Sequence, residues 1–136
     1  MPPKEIFLSH SSFDREFADS VTKVLRSHLI PVWYSKTNIL GAQQWHDEIG
    51  EALKRCDWFI VILSKNSVKS TWVKWEPMFA LNDERYANRI LPVVLESCNL
   101  NDLSWTLPFM QLIDFTGDQD LAYSELLKTW GIGYRK

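Results

Sequence analysis

An indole and a carboxylate stand one helical turn apart in the run Trp72-Val73-Lys74-Trp75-Glu76. Residues four apart on a helix share a face, so we expect Trp72 and Glu76 to lie side by side. A flat aromatic surface beside an acid that can hold a sugar hydroxyl suits the binding and cleavage of a nucleotide. The same spacing is also typical of aromatic residues that pack a helix onto a core, with the acid facing water. The place of this segment in the fold has to decide between the two interpretations.

The hydrophobic pattern along the chain predicts alternating strands and helices. The predicted strands are 6–8, 31–34, 58–64, 89–95 and 109–115, and the predicted helices are 14–28, 45–56, the segment that carries Trp72 and Glu76, and 121–130. The run 58–64 is apolar without alternation, as expected of a strand that is covered on both faces in a parallel sheet. Elements in this order predict one open α/β sheet with helix layers.

Polar and breaker residues predict where several elements end. Ser11 together with Asp14, or Ser12 alone, is expected to cap the first helix. Gly131 is expected to stop the last helix. Pro92 has no N–H group, so its strand must have interrupted pairing or lie near an edge of the sheet.

In an open α/β sheet, ligands bind outside the carboxyl ends of the strands, at the switch in strand order. Residues 9–12, 35–45 and 63–76 follow the first three predicted strands and should meet at that edge. Glu76 falls in the third of these segments. Its position therefore favours the ligand-binding interpretation of the opening motif over simple helix packing.

Composition argues against several classes of function. The 136 residues correspond to about one domain, and the net charge of -2 comes with basic residues that are scattered singly. A nucleic-acid surface needs a concentrated positive field, and a membrane surface finds no support here either. No apolar stretch approaches the roughly 20 residues that span a bilayer, and residues 1–5 do not open a signal peptide. A cytoplasmic location is therefore expected.

The motifs of metal, redox and phosphate-loop chemistry are missing from the sequence. Cys56 and Cys98 are far apart and have no other cysteine or histidine at ligand spacing, so we expect reduced, inert thiols and no metal site. No glycine-rich phosphate loop of either common pattern occurs. The segment after the first strand lacks the acidic residues with which a receiver domain holds magnesium.

The histidines and their neighbours give little support to hydrolase chemistry based on serine. Ser9 and Ser11 flank His10, but neighbours along an extended chain point to opposite sides, and no G-x-S-x-G elbow occurs. His28 and His46 fall within predicted helices, where we expect both to be surface imidazoles.

Four segments in order resemble a Toll/interleukin-1 receptor (TIR) domain, and more the bacterial, NAD-cleaving type than the animal receptor type. They are residues 5–11, the loop with Leu40-Gly41, residues 57–64 and residues 70–76. The resemblance covers nearly the whole chain. It implies a single flavodoxin-like TIR domain over residues 1–136, with a central parallel five-stranded sheet and helices on both faces.

The resemblance also implies an activity. Enzymatic TIR domains cleave NAD+ with the glutamate that ends a tryptophan-x-x-x-glutamate motif, which Trp72 and Glu76 match. An NAD+ glycohydrolase or cyclase of this kind would give nicotinamide and ADP-ribose or a cyclic ADP-ribose, in prokaryotic immune signalling or toxicity. NAD+ would be the substrate, and no cofactor is implied. A carboxylate suits this chemistry because it can stabilise an oxocarbenium-like ribose.

Further pocket residues are implied in the same way. Ser9, His10 and Ser11 would line the pocket after the first strand, where some relatives carry arginines for the pyrophosphate. Phosphate contacts would then come from backbone donors, Lys36 or a neighbouring molecule. Trp45 matches an aromatic residue that stacks on the nicotinamide end, and it also begins the apolar stripe of its helix, so both roles stay open.

The direction of the Glu76 side chain is left open by the next residue. Pro77 deletes a helical hydrogen bond and kinks the axis. Trp72 is expected to shape the pocket wall rather than to react.

TIR enzymes are commonly active as assemblies in which the loop after strand two closes the pocket of the next copy. Ile39, Leu40 and Gly41 lie in that loop and are the predicted interface, although the two apolar side chains equally suit packing on their own domain. An alternative function is a non-catalytic TIR–TIR interaction module, or a nucleotide sensor that binds without cutting. Fold alone does not separate these functions.

Overall fold

A computed structural model of the protein describes residues 2–10, 12–33, 51–52, 54–65, 86, 89–96 and 112–135. The strands are β1 Ile6–Ser9, β2 Val32–Trp33, β3 Trp58–Leu63, β4 Ile90–Val94 and β5 Ile113–Asp114, and the helices are α1 Arg15–Ser27 and α2 Gln119–Lys128. A 3-10 turn, Ser12–Asp14, precedes α1. Residues 51, 52, 54 and 55 are helical as well. Each predicted strand has a counterpart in the sheet, and the predicted helices 14–28 and 121–130 correspond to α1 and α2 with shifted bounds.

The strands form one parallel sheet in the order β2-β1-β3-β4-β5. The chain moves outward from β1 to β2 and then crosses back to β3 on the other side of β1. The strand order therefore switches between β1 and β3, and the carboxyl ends of these two strands flank the position where open α/β sheets bind ligands.

Strand β3 is the centre of the core. Five of its six residues are completely buried. On one face, Ile60 and Ile62 pack into the cluster that includes the apolar sides of α1 and α2. On the other face, the ring of Phe59 stacks on Phe7 at 5.2 Å and meets Tyr86 edge-on at 6.0 Å. The prediction of a strand covered on both faces is confirmed.

The start of α1 differs from the sequence prediction. The helix begins at Arg15, after the 3-10 turn, so neither Ser11 nor Ser12 is its N-cap residue. Asp14 takes that position, yet its side chain makes no capping hydrogen bond. The prediction of a serine cap is wrong because the first turn after β1 is wound as a 3-10 turn rather than as α-helix.

The end of α2 follows the prediction. Gly131 has a φ of 72°, a conformation that costs glycine little because it has no Cβ. The reversal lets the N–H of Ile132 donate to the carbonyl oxygen of Leu127 at 3.0 Å. This is the hydrogen-bond pattern that closes many helices.

Pro92 is accommodated near the edge of the sheet, as its missing N–H requires. The N–H of Phe59 donates to the Arg89 carbonyl oxygen, and the N–H of Leu95 donates to that of Leu63. The backbone N–H and carbonyl groups of the odd-numbered residues of β4 thus point toward β3, and the backbone nitrogen of Pro92 points toward β5. Pairing between β4 and β5 begins only at Val93, so Pro92 leaves no gap in the described ladder.

Candidate functional site

The carboxyl ends of β1 and β3 bring polar side chains to the switch in strand order. Ser9 ends β1, is buried, and lies opposite Val61 of β3. His10 follows Ser9 and is half-buried. Ser64 follows β3 directly and is completely buried. Of the predicted pocket residues, Ser9 and His10 are therefore placed at the expected edge of the sheet.

The His10 side chain is held in its neutral form. Burial lowers its pKa below the usual 6.5, and the nearby Arg15 guanidinium lowers it further. Asp14, Asp19 and a hydrogen bond with the backbone of Leu8 act in the opposite direction but do not outweigh these two effects. Near neutral pH the imidazole can therefore donate one hydrogen bond and accept another, and it brings no positive charge to a phosphate.

A buried hydrogen bond joins the segments that leave β1 and β3. The hydroxyl of Ser64 donates to the Asp14 carboxylate, and the two side chains are 0% and 7% exposed. Hydrogen bonds to a charged acceptor are stronger than neutral ones, and a buried carboxylate needs them. Sequence reasoning missed this pair. The available signal was a serine that ends an otherwise apolar, fully buried strand.

The chain is anchored a second time where it leaves β3. The N–H of Lys65 donates to Glu96 Oε1 at 2.8 Å, and the N–H of Leu95 donates to the carbonyl oxygen of Leu63 at 2.9 Å. Ser64 and Lys65 are thus tied to the loop after β1 on one side and to the end of β4 on the other. The segment that leads to Trp72 and Glu76 starts from these fixed positions.

A shallow, open cavity of about 350 Å³ lies next to Asp14. Its described lining consists of Phe13, Asp14, Glu16, Phe17, Ser20, Leu95 and Gln119. Ser9 and His10 do not belong to this lining, and the carboxylates of Asp14 and Glu16 would repel a pyrophosphate. This cavity does not fit the predicted dinucleotide site.

The remaining predicted site residues lie outside the described residues. They are the catalytic Glu76, the pocket residues Ser11, Trp45 and Trp72, the interface residues Ile39, Leu40 and Gly41, and also Lys36 and Pro77. Their predicted roles therefore stay predictions.

No group of three or more histidine, cysteine, aspartate or glutamate side chains that could hold a metal ion occurs among the described residues. Cys56 is completely buried. None of the described helices combines the length and the apolar character needed to cross a membrane.

Comparison with known sequences identifies related enzymes. A probable 2' cyclic ADP-D-ribose synthase, TcpO, from Methanobrevibacter olleyae is 28% identical over 100 residues, which are 73% of this chain and 29% of that protein. The 2' cyclic ADP-D-ribose synthase AbTIR of Acinetobacter baumannii is 22% identical over 103 residues, which are 75% of this chain and 38% of that protein. The chain spans about a third of the length of these curated relatives.

Solved structures share the fold at low sequence identity. The TIR domain of the Toll-related receptor TRR-2 from Hydra magnipapillata superposes with a TM-score of 0.73 at 16% identity, over 92% of this chain and 94% of that one. The TIR domains of the activated Roq1 resistosome superpose with a TM-score of 0.70 at 17% identity, over 93% of this chain and 99% of that one. The CMP N-glycosidase BcmB of Clostridium botulinum superposes with a TM-score of 0.63 at 17% identity, over 91% of this chain and 99% of that one.

The sequence profile of the TIR domain family matches residues 6–127, which include every strand of the sheet and most of α2. This match extends over far more than half of the chain, and the parallel sheet with its switch between β1 and β3 agrees with it. The chain therefore belongs to the TIR domain family.

Proposed function

We propose that this chain is an NAD+ nucleosidase that cleaves the bond between nicotinamide and ribose. The observation that carries the proposal is the similarity to two relatives named as 2' cyclic ADP-D-ribose synthases, over about three quarters of this chain. The Trp72 and Glu76 pair, in the segment after β3, supports it. The products are nicotinamide and either ADP-ribose or a cyclic ADP-ribose.

Cleavage of the nicotinamide–ribose bond requires one acidic side chain next to the ribose. The electron pair of the glycosidic C–N bond leaves with nicotinamide, which becomes neutral, and positive charge develops on the ribose. The carboxylate of Glu76 holds the ribose hydroxyls and stabilises that charge. Water then attacks the ribose carbon and gives up a proton to form ADP-ribose. For the cyclic product, a hydroxyl of the same molecule replaces water.

The described residues at the edge of the sheet supply polar contacts rather than the reacting group. The hydroxyl of Ser9 and the neutral imidazole of His10 bring hydrogen-bonding groups to this edge of the sheet. Neither brings positive charge, so the pyrophosphate is met by backbone donors, by Lys36 or by a neighbouring molecule. The guanidinium of Arg15, close enough to lower the pKa of His10, adds positive charge beside this segment.

The proposal includes self-association. TIR domains assemble with one another, and we place the contact in the loop after β2, at Ile39, Leu40 and Gly41. In that arrangement the loop of one copy closes the pocket of the next, so turnover depends on protein concentration. The resemblance to bacterial, NAD-cleaving TIR domains implies prokaryotic immune signalling or toxicity as the biological setting.

The test is nicotinamide release from NAD+ by concentrated or bead-clustered protein, followed by chromatography. Glu76→Ala and Glu76→Gln should each reduce release by about 100-fold or more, because both remove the stabilising charge. Glu125→Ala, at an exposed site on α2, is the matched control and should match the unmodified protein. If the unmodified protein releases no nicotinamide above the Glu76→Ala background, the non-catalytic interaction or sensing function replaces this one.

A further inference from the structure

Asp14 uses its carboxylate in an unexpected way. An aspartate at a helix N-cap ordinarily accepts a hydrogen bond from a backbone N–H in the first helical turn. Asp14 is the N-cap residue of α1 but makes no such bond. Its carboxylate instead accepts a hydrogen bond from Ser64, 50 residues later in the chain. Asp14 thus bonds to a residue that follows β3 rather than to the first turn of α1.

With this contact, the segment that runs from Ser9 to Asp14 is held at both ends, once at β3 and once at the residue directly after β3. We call this segment the His10 arch. At one end, Ser9 is paired with Val61 in the sheet. At the other end, Asp14 is bonded to Ser64. His10 lies within the arch. Because both ends are buried, the arch cannot shift along β3 without breaking either the sheet pairing or the Asp14–Ser64 bond.

The same contact fixes the start of the segment with the predicted catalytic residue. The chain passes from Ser64 through Lys65, whose N–H is held by Glu96, toward Trp72 and Glu76. Ser64 therefore belongs to one half of the proposed site, and Asp14 to the segment that carries the other half. The Asp14–Ser64 hydrogen bond links these two segments directly.

We propose that Asp14 and Ser64 are positioning residues for NAD+ cleavage. Their hydrogen bond sets the place of the His10 arch relative to the segment that carries Glu76. The inference rests on the proposed function, and it assigns neither residue a contact with the substrate. Small displacements of groups that hold a substrate in its reactive geometry cost large factors in rate, so the pair acts on turnover through the groups it holds.

The kinetic test is a double-mutant cycle with Asp14→Ala, Ser64→Ala and the double variant, all assayed well below their melting temperatures. Each single change should lower kcat by about 10- to 100-fold with a much smaller change in KM, since substrate contacts are kept. The double variant should lose much less than the product of the two single losses, because both changes remove the same bond. Asp14→Asn keeps an acceptor for the Ser64 hydroxyl and should retain most of the activity even where the alanine variants fold poorly.

Two kinetic results would overturn the proposal. One is a Ser64→Ala protein that melts at a lower temperature but keeps its kcat, which is what a purely structural role predicts. The other is a double variant whose loss equals the product of the single losses. Ser124→Ala, at an exposed serine on α2, is the matched control and should be neutral.

A second readout does not need turnover. Among the described residues, Arg15, Asp14 and Asp19 act on the pKa of His10 through their charges. The NMR titration of the His10 ring therefore reports the place of the Asp14 carboxylate. Asp14→Asn should lower the midpoint of the His10 titration, because it removes a negative charge. Ser64→Ala should shift the same midpoint, because the Asp14 carboxylate is no longer held by the Ser64 hydroxyl. An unchanged midpoint in Ser64→Ala overturns the positioning role. If the unmodified protein proves inactive, the proposed function fails while this titration still decides whether the pair positions the His10 arch.

Discussion

The imidazole of His28 fastens the end of the chain to the end of α1. Its Nε2 accepts a hydrogen bond from the backbone N–H of Arg135 at 3.0 Å, across 107 residues of sequence. Its Nδ1 lies 2.7 Å from the carbonyl oxygen of Val24, which can only accept, so the ring hydrogen is on Nδ1. The ring of Tyr134 stacks on it at 5.9 Å. His28 is 7% exposed, and the prediction of a surface imidazole is wrong.

Replacing His28 with alanine should destabilise the protein. The change removes the hydrogen bonds of the ring and its contact with Tyr134, so we expect the free energy of unfolding to fall by about 1–3 kcal/mol. Urea denaturation measures the loss, and hydrogen exchange of the Arg135 amide should become faster. His28→Gln can place an acceptor near the Nε2 position and should lose less. Equal exchange rates at Arg135 in all three proteins would contradict this account.

Tyr123 should make the protein sensitive to alkaline pH. Burial, together with the neighbouring Tyr134, raises the pKa of Tyr123 from 10.0 to about 12. The unfolded chain therefore loses this proton first as the pH rises, and the free energy of unfolding falls as the pH increases from 10.0 toward 12. Denaturant unfolding at a series of pH values should show a shallower decline for Tyr123→Phe. The same slope in both proteins would show that Tyr123 is not responsible.

His10 should produce the opposite dependence in acid. Its pKa is below 6.5 in the folded protein, so the unfolded chain binds the proton first as the pH falls. The stabilisation is complete above 6.5 and is lost as the pH falls through 6.5 toward the folded pKa. His10→Gln, which stays neutral, should remove this part of the pH dependence. The measurement is the free energy of unfolding between about pH 7.5 and about pH 5, and an unaltered slope in His10→Gln would refute the assignment.

Leu40→Asp tests the proposed contact between copies. A charge in an apolar contact should weaken self-association, measured by sedimentation, and should weaken nicotinamide release to a similar extent. The fold should be intact, because the sequence predicts that Leu40 lies in a loop rather than in a strand or helix. Unchanged assembly would remove the loop after β2 as the interface.

Hydrophobic periodicity was enough to find the elements. The uninterrupted apolar run of β3 indicated a strand covered on both faces, and Phe59 and Ile60 are indeed completely buried on opposite sides. Gly131 indicated the end of α2 because a left-handed residue closes a helix at little cost to glycine. These features depend on neighbours in sequence, and a local pattern can therefore predict them.

The candidate site was predicted less completely. Sequence placed Ser9 and His10 at the end of the first strand, and the structure confirms that position. The sequence predicts Asp14 only as part of a helix cap, and Ser64 only as the end of a strand. Their partnership depends on the crossing of the chain from β1 to β3, which brings together residues 50 apart.

The type and order of the strands and helices were thus readable from the residues themselves, because burial imposes a period on each element. What Asp14 and His28 do was decided only in three dimensions. Both side chains have local roles open to them, a helix cap and a solvated imidazole. Once folding buries them, each needs a hydrogen-bond partner with fixed geometry, and those partners, Ser64 and the N–H of Arg135, are distant in sequence.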